Sequence, residues 1–192
     1  MHKVVLDIET KNTFEEAKSP DPAALDLSLL VVYDYLTDQY TSYMEKDLPE
    51  LWPVLEKADQ IIGFNLDHFD MPILNKYYQG DLMKLKTLDL LTEVKNAYGR
   101  RISLNRVASG TLGTKKSGHG LDAITWWKSG EIEKIRKYCE DDVRITKEVY
   151  DYALQHGELK LDVGQSEPLT VKINTKKWEV KPKESVNYTL PF

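Results

Sequence analysis

The stretch KVVLDIE at residues 3–9 decides how the chain must fold. It is short, rich in β-branched residues and followed by polar chain, which predicts a strand. Side chains on a strand alternate between its two faces, so Asp7 and Glu9, at i and i+2, project from the same side. Two carboxylates that close, ending an otherwise apolar strand, repel one another unless a cation lies between them. Taken alone, the pair fits a solvated strand end equally well.

Outward from this strand, residues 10–24 carry Pro20 and Pro22 and read as loop. SLLVVYDYL (28–36) is a second strand, turned at Thr37-Asp38 into its hairpin partner QYTSYMEK (39–46). DLPELWPVLEKA (47–58) starts as a helix should, with Asp47 as N-cap and Pro49 in the first turn, although Pro53 weakens its middle. A buried strand is expected at QIIGFN (60–65), then a helix FDMPILNKYYQ (69–79) closed by Gly80. A strand MKLKTLDL (83–90) and a helix LLTEVKNAY (90–98) closed by Gly99 follow. Residues 99–120 read as glycine-bearing loops with one short helix near 103–109, and LDAITWW (121–127) as a short helix stopped at Ser129-Gly130. The longest helix is EIEKIRKYCEDDVRITKEVYDYALQHG (131–157), whose inward stripe is Ile135, Tyr138, Asp142, Ile145 and Val149. After Gly157, ELKLDV (158–163) and LTVKINTKKWEV (169–180) alternate like two strands, with Leu159, Leu161, Val171 and Trp178 facing the body or a partner; residues 181–192 read as an extended tail. The expectation is an α/β domain to which a C-terminal β-hairpin is added.

The chain has 192 residues, 26 Lys plus Arg against 31 Asp plus Glu, and a formal charge of −5. That length suits one domain, or one domain with an appendage, and can bury a core without disulfides or a structural metal. A lone Cys139 excludes a disulfide framework and a cysteine-rich zinc site, which favours a reducing compartment; a cytoplasmic protein is expected. The first residues lack the apolar core of a secretory leader and no apolar run could span a membrane, so no membrane partner is expected. The acidic balance argues against coating nucleic acid by bulk electrostatics. It leaves room for handling nucleic acid locally.

Asp142 strengthens the case for Asp7 and Glu9. It lies on the inward stripe of the long helix, where a carboxylate costs several kcal/mol unless it is neutralised or coordinated. A salt bridge from Arg136 or Arg144 would be the plain solution. A third acidic segment, GFNLDHFDMPIL (63–74), offers Asp67 and Asp70; Asp70 also suits a helix N-terminus. His68 lacks a partner histidine at ligand spacing and is expected to be exposed. Carboxylate oxygens alone suit a hard divalent cation, Mg²⁺ or Mn²⁺, rather than zinc. The chemistry that uses such a cluster is in-line displacement at phosphorus, with two ions on the attacking and leaving oxygens. Residues 94–121 add Lys95, Arg100, Arg101, Arg106, Lys115 and Lys116 with no acid, leaving twenty cations against 31 acids for the rest of the chain. This basic stretch could hold single-strand phosphates, or could simply balance the acidic body. GTLGTKKSG (110–118) is not a phosphate-binding loop, because Lys115 stands where glycine is required. Trp126 and Trp127 could stack on bases, but on so apolar a helix core packing is expected.

In order and wording the segments resemble a known family. LDIET (6–10) resembles the first motif of the DEDD superfamily of 3′–5′ exonucleases, which has a ribonuclease H-like (DnaQ-like) fold. GFNLDHFDMPIL resembles the second motif as written in the proofreading domains of family B DNA polymerases. YCEDD (138–142) resembles the third motif in its tyrosine form, since the histidine form would need His where Lys137 stands. The resemblance spans about residues 3–155. It implies a ribonuclease H-like mixed sheet flanked by helices over residues 1–156, with 157–192 as a hairpin and tail outside the motifs. It also implies Asp7, Glu9, Asp70 and Asp142 as ligands of two divalent ions, Mg²⁺ or Mn²⁺, with Tyr138 orienting the attacking water. It selects Asp70 over Asp67 and Asp142 over Asp141, and places Thr10 and Asn65 at the 3′-terminal nucleotide. The activity implied is removal of nucleoside 5′-monophosphates from single-stranded DNA or RNA 3′ ends, DNA favoured, with a polymerase or helicase as a conceivable companion and no oligomeric state specified. A ribonuclease H-like endonuclease and a silent nucleic-acid-binding module are the other readings; the full set of acids plus Tyr138 counts against the second. Two bound divalent ions would bring the net charge from −5 to −1, so part of the acidity is the site itself.

Overall fold

The computed structural model describes residues 1–114 and 120–179. Lys115, Lys116 and the expected tail at 181–192 lie outside the described residues. The first strand, β1 (Lys3–Thr10), is the centre of a five-stranded sheet with β2 (Leu27–Asp34), β3 (Gln39–Met44), β4 (Gln60–Gly63) and β5 (Thr87–Asp89). The order is β3-β2-β1-β4-β5. β1, β2 and β3 form an antiparallel meander, while β1, β4 and β5 run parallel, so the sheet is mixed as expected.

Alternation along β1 divides the core in two. Val4, Leu6 and Ile8 pack on one face with α2 (Leu48–Lys57) and α3 (Asp70–Asn75). Val5 points to the other face, with Leu29, Val31 and Tyr33 of β2 and the apolar stripe of the long helix α7 (Ile132–His156). All five stripe residues named from the sequence are buried, Asp142 among them. Between α3 and α7 come α4 (Leu90–Tyr98), α5 (Leu104–Leu112) and α6 (Gly120–Lys128); a single turn, α1 (Phe14–Ala17), interrupts the loop expected at 10–24. Thr13 and Glu16 cap that turn reciprocally, satisfying two free N–H groups.

Several elements are shorter than their patterns suggest, each for a local reason. α3 ends at Asn75 rather than near Gly80, and the Asn75 side chain instead accepts the Leu82 N–H at 2.8 Å. The strand expected at 83–90 is reduced to β5, because Asp81 caps a 3₁₀ turn at Leu82–Lys84. β4 stops at Gly63, two residues before Asn65 takes a left-handed conformation (φ +68°). Asp47 stands at the N-cap of α2 as expected but makes no side-chain bond to the helix; its carboxylate accepts the Met44 N–H at 3.1 Å, while the helix continues through Pro53. α5 runs three residues past the helix expected near 103–109. Among the described residues no helix is long and apolar enough to cross a membrane.

Gly157 closes α7 in the left-handed region and turns the chain into the antiparallel pair β6 (Glu158–Leu161) and β7 (Leu169–Lys172). A 3₁₀ turn at Thr175–Lys177, capped by Asn174, replaces the rest of the long strand expected at 169–180. Leu159, Leu161, Val171 and Trp178 are buried in the same core as α7. The Trp178 ring stacks on Tyr150 of α7 at 5.4 Å, and its Nε1–H donates to Glu93 of α4 at 3.2 Å. The hairpin is also bonded to α5: Asp162 N–H donates to Arg106 O at 2.9 Å, and Thr111 bonds both backbone groups of Lys160. This approach requires glycine at 110, where a Cβ would lie 2.4 Å from Lys160 O and 2.7 Å from Asp162 N. Gly110→Ala is therefore expected to cost about 1–3 kcal/mol by overpacking, although alanine favours helices. Thermal unfolding should show a Tm several degrees lower; an unchanged Tm would mean that the hairpin is not held this closely.

Candidate active site

β1 and α7 together build the site. The register that places Val5 in the α7-facing core carries Asp7 and Glu9 to the same side, opposite Val31 and Leu29 of β2. α7 crosses this end of β1 and brings Asp142 to meet them. One oxygen from each of Asp7, Glu9 and Asp142 lies within 4.8 Å of the other two. Glu9 and Asp142 are buried, 8% and 2% exposed, and Asp7 is half-buried. They line a cavity of about 380 Å³ together with Asp70, Tyr138 and Thr10.

Asp70 reaches the cavity from the other side of β1. β4 pairs with β1 only through Val5, so the Ile8 N–H beyond it is open to a side chain, and Asp70 Oδ1 accepts it at 3.2 Å. Burial, and then the charge of Asp7, push the Asp70 carboxyl well above the usual carboxylate range. Tyr138, 3% exposed, lies one turn before Asp142 and meets Trp126 of α6 edge-on at 5.8 Å. Trp126 and Trp127 are half-buried, and the Lys11 ammonium lies 5.2 Å from the Trp127 ring. The hydroxyl of Thr10 donates to Asn12 O at 3.0 Å at the cavity edge.

The acids beside the cluster are used differently. Arg144 bonds Asp141 at 2.7 Å and Glu148 at 2.9 Å, and Arg136 pairs with Glu133 at 3.4 Å. Asp67 and His68 are both exposed, as expected for His68. Asn65 lies outside the main cavity, and its Oδ1 accepts from Arg101 Nη2 at 2.6 Å. Arg100 instead folds over the Tyr98 ring, 4.8 Å from its centroid, and bonds the Tyr98 hydroxyl.

Four further residues lie at or beside the site, three of them without a signal in the sequence pattern. The buried Cys139 thiol donates to Asp7 O at 3.2 Å. Burial and the charges of Asp7, Glu9 and Asp142 push it well up, so it stays a protonated donor rather than a thiolate ligand. Phe14 and Leu121, 42% and 70% exposed, flank the cavity mouth. Asp89 caps α4 and bonds the loop before α3. Only this last had a signal, an aspartate immediately before a helical run.

The family model of the RNase_H superfamily matches residues 4–154. The chain belongs to the RNase_H superfamily. Its mixed five-stranded sheet with flanking helices is the ribonuclease H-like fold, to which the antiparallel hairpin is added. Among solved structures, the chain is similar to the family B DNA polymerase of the hyperthermophilic archaeon Pyrobaculum calidifontis, with TM-score 0.62 and 19% identity over 80% of this chain. It spans 24% of the length of that polymerase, and at this identity the likeness is one of fold. No curated protein matches the chain. Superfamily membership supports nuclease activity on nucleic acid, and nucleases of this fold use divalent metal ions, for which the acidic cluster offers a place.

The donor set fits such an ion: oxygen ligands, two buried and one half-buried, with like charges close enough to share one counter-charge. Mg²⁺ or Mn²⁺ at a hundredfold excess over Kd should stabilise the fold by about 2.7 kcal/mol. The expected result is a metal-dependent rise in Tm that Asp142→Asn largely loses. A Tm indifferent to either metal would mean that the cluster holds none.

Proposed function

We propose that this chain is a metal-dependent 3′–5′ exonuclease of the tyrosine (DEDDy) branch, hydrolysing the 3′-terminal phosphodiester of single-stranded nucleic acid, DNA favoured. The products would be nucleoside 5′-monophosphates. The observation that carries this reading is the convergence of Asp7, Glu9 and Asp142 on one point of a cavity that Asp70 and Tyr138 also line.

Asp7, Glu9 and Asp142 would hold one divalent ion, and Asp7 with Asp70 a second, Mg²⁺ or Mn²⁺ in each case. Two such ions supply positive charge to the attacking and leaving oxygens of an in-line displacement. The remaining work falls to the chain. Tyr138 lines the cavity with its ring against Trp126, and its hydroxyl would orient the attacking water by a hydrogen bond. Ile8 N–H holds the Asp70 carboxyl in place, and the Cys139 thiol does the same for the backbone of Asp7. Thr10 and Asn65 contact the 3′-terminal nucleotide, and Arg100, Arg101, Lys115 and Lys116 the strand behind it; Lys115 and Lys116 lie outside the described residues.

Residues 1–156 are the nuclease domain in this reading, with 157–192 as its extension. Likeness to a family B polymerase supports DNA as the strand and a polymerase as the companion, with a helicase as the other companion in this reading. A reducing, cytoplasmic setting accords with the single buried thiol.

The test is digestion of 5′-labelled single-stranded DNA and RNA with Mg²⁺, Mn²⁺ or EDTA. A descending ladder that needs metal is expected, with DNA cut faster, and Asp7→Ala should abolish it. Internal cuts on a circular strand, or digestion by Asp7→Ala at the wild-type rate, would refute the assignment. Tyr138→Phe should lower kcat by about 10²-fold with KM little changed, the size expected for loss of one positioned proton-handling group.

A further inference from the structure

The loop between β4 and α3 is held by Asp89, a group that the chemistry above leaves unused. Asp89, at the end of β5 and 6% exposed, accepts the N–H groups of Asn65 at 2.8 Å and Asp67 at 3.3 Å, besides that of Leu91 in its own cap at 2.9 Å. A non-glycine residue seldom adopts the φ of +68° seen at Asn65. Three bonds hold it there: its backbone N–H donates to Asp89, its carbonyl accepts the Phe69 N–H at 3.0 Å, and its side chain accepts from Arg101. Because Oδ1 is turned to the guanidinium, the two amide N–H donors of Asn65 are directed elsewhere.

The residue before it, Phe64, lines both the carboxylate cavity and a shallower groove of about 420 Å³ beside it. Asn65 and Arg101 wall this groove, Leu91, Ile102 and Leu104 provide an apolar floor, and no acid among the described residues lines it. The groove thus continues from the site of cleavage and presents a guanidinium beside an amide. A phosphodiester offers only acceptors and carries one negative charge, which suits that pair of donors.

We propose that the groove seats the nucleotide on the 5′ side of the scissile bond. Arg101 and one Asn65 amide N–H take its phosphate while the other amide N–H reaches the terminal nucleotide, the sugar and base of the seated nucleotide lie along Ile102 and Leu104, and Asp89 is the positioning residue that holds Asn65, and through it Arg101, in register with the cavity. This rests on the nuclease reading above.

A substrate of one nucleotide separates the groove from the cavity. Thymidine 5′-(p-nitrophenyl phosphate) fills the place of the terminal nucleotide and has p-nitrophenol where the rest of the strand would be. The quantity to measure is the ratio of kcat/KM for a tetranucleotide to that for this ester, in the full chain with Mg²⁺ or Mn²⁺. Arg101→Gln is expected to lower the ratio about tenfold, and Asp89→Asn, which keeps shape but loses one acceptor, to lower it in the same direction. For the tetranucleotide, Arg101→Gln should also make the fall of log(kcat/KM) with log salt less steep by about 0.7, the contribution of one single-strand phosphate contact. A merely structural effect on the loop would leave that slope alone. An unchanged ratio or an unchanged slope overturns the groove as a nucleotide seat. Asp7→Ala serves as the control: if it hydrolyses both substrates at the wild-type rate, the nuclease reading itself falls, a result distinct from failure of the groove alone.

Discussion

Everything in this molecule is arranged around the mutual approach of buried and half-buried carboxylates where β1 meets α7. Asp7, Glu9 and Asp142 each offer an oxygen within 4.8 Å of the others. Taking ionised acids out of water costs several kcal/mol apiece, and their shared sign adds to it. Such an arrangement persists only if the elements that carry the acids are anchored elsewhere. β1 is anchored as the central strand, with β2 on one edge, β4 on the other and apolar layers on both faces. α7 is anchored by an apolar stripe that Asp142 interrupts without breaking.

Strand length then determines access. β4 and β5 end before the acidic end of β1 does, so the sheet stops supporting β1 on that side near Val5. The backbone left open is used twice. Asp70 takes the Ile8 N–H, and the loop that delivers Asp70 is secured by Asp89 at the end of β5. Two parallel strands therefore each contribute, at their C-terminal ends, a carboxylate or the support of one. In open α/β sheets ligands bind beyond the carboxyl ends of the strands, and this site follows that rule.

What could be read from the sequence follows how strongly each residue's role is set by nearby chain. α4 and α7 lie within a residue of the expected bounds, because each has a long apolar period closed by a glycine in the left-handed region. α3 and β5 came out shorter than their patterns because Asn75 and Asp81 bond backbone N–H groups of residues 82 and 83, and side-chain capping of this kind competes with regular structure. The acids of the cluster were visible as spacings, i and i+2 on a strand and an acid on a helix stripe. Choosing Asp142 over Asp141 was not a matter of spacing; the structure turns Asp141 to Arg144 and Asp142 inward. Cys139 and Phe14 owe their positions to chain distant in sequence, and no local pattern marks such a role; the local pattern at Asp89 marks a helix cap but not the anchor of the loop before α3.

The C-terminal hairpin bears on the site through α7. A helix rises 1.5 Å per residue, so Tyr150 lies about 12 Å along the axis from Asp142, two turns on and outside the cavity. There Trp178 stacks on Tyr150, and Leu159, Leu161 and Val171 join the same core as Val149 and Ala153. The second half of α7 would otherwise present much of this apolar face to water. Its burial contributes about 25 cal/mol for each Å² covered, which offsets part of the cost of holding Asp142 among other acids. A 25-residue helix transmits that anchoring along its own hydrogen-bonded length, since it cannot tilt away from β1 at one end without breaking contacts at the other. The bonds from the hairpin to α5 and α4 extend the same restraint to the segment that carries Arg101. The hairpin, although remote from the acids, is thus part of what keeps both walls of the cleft at a fixed separation.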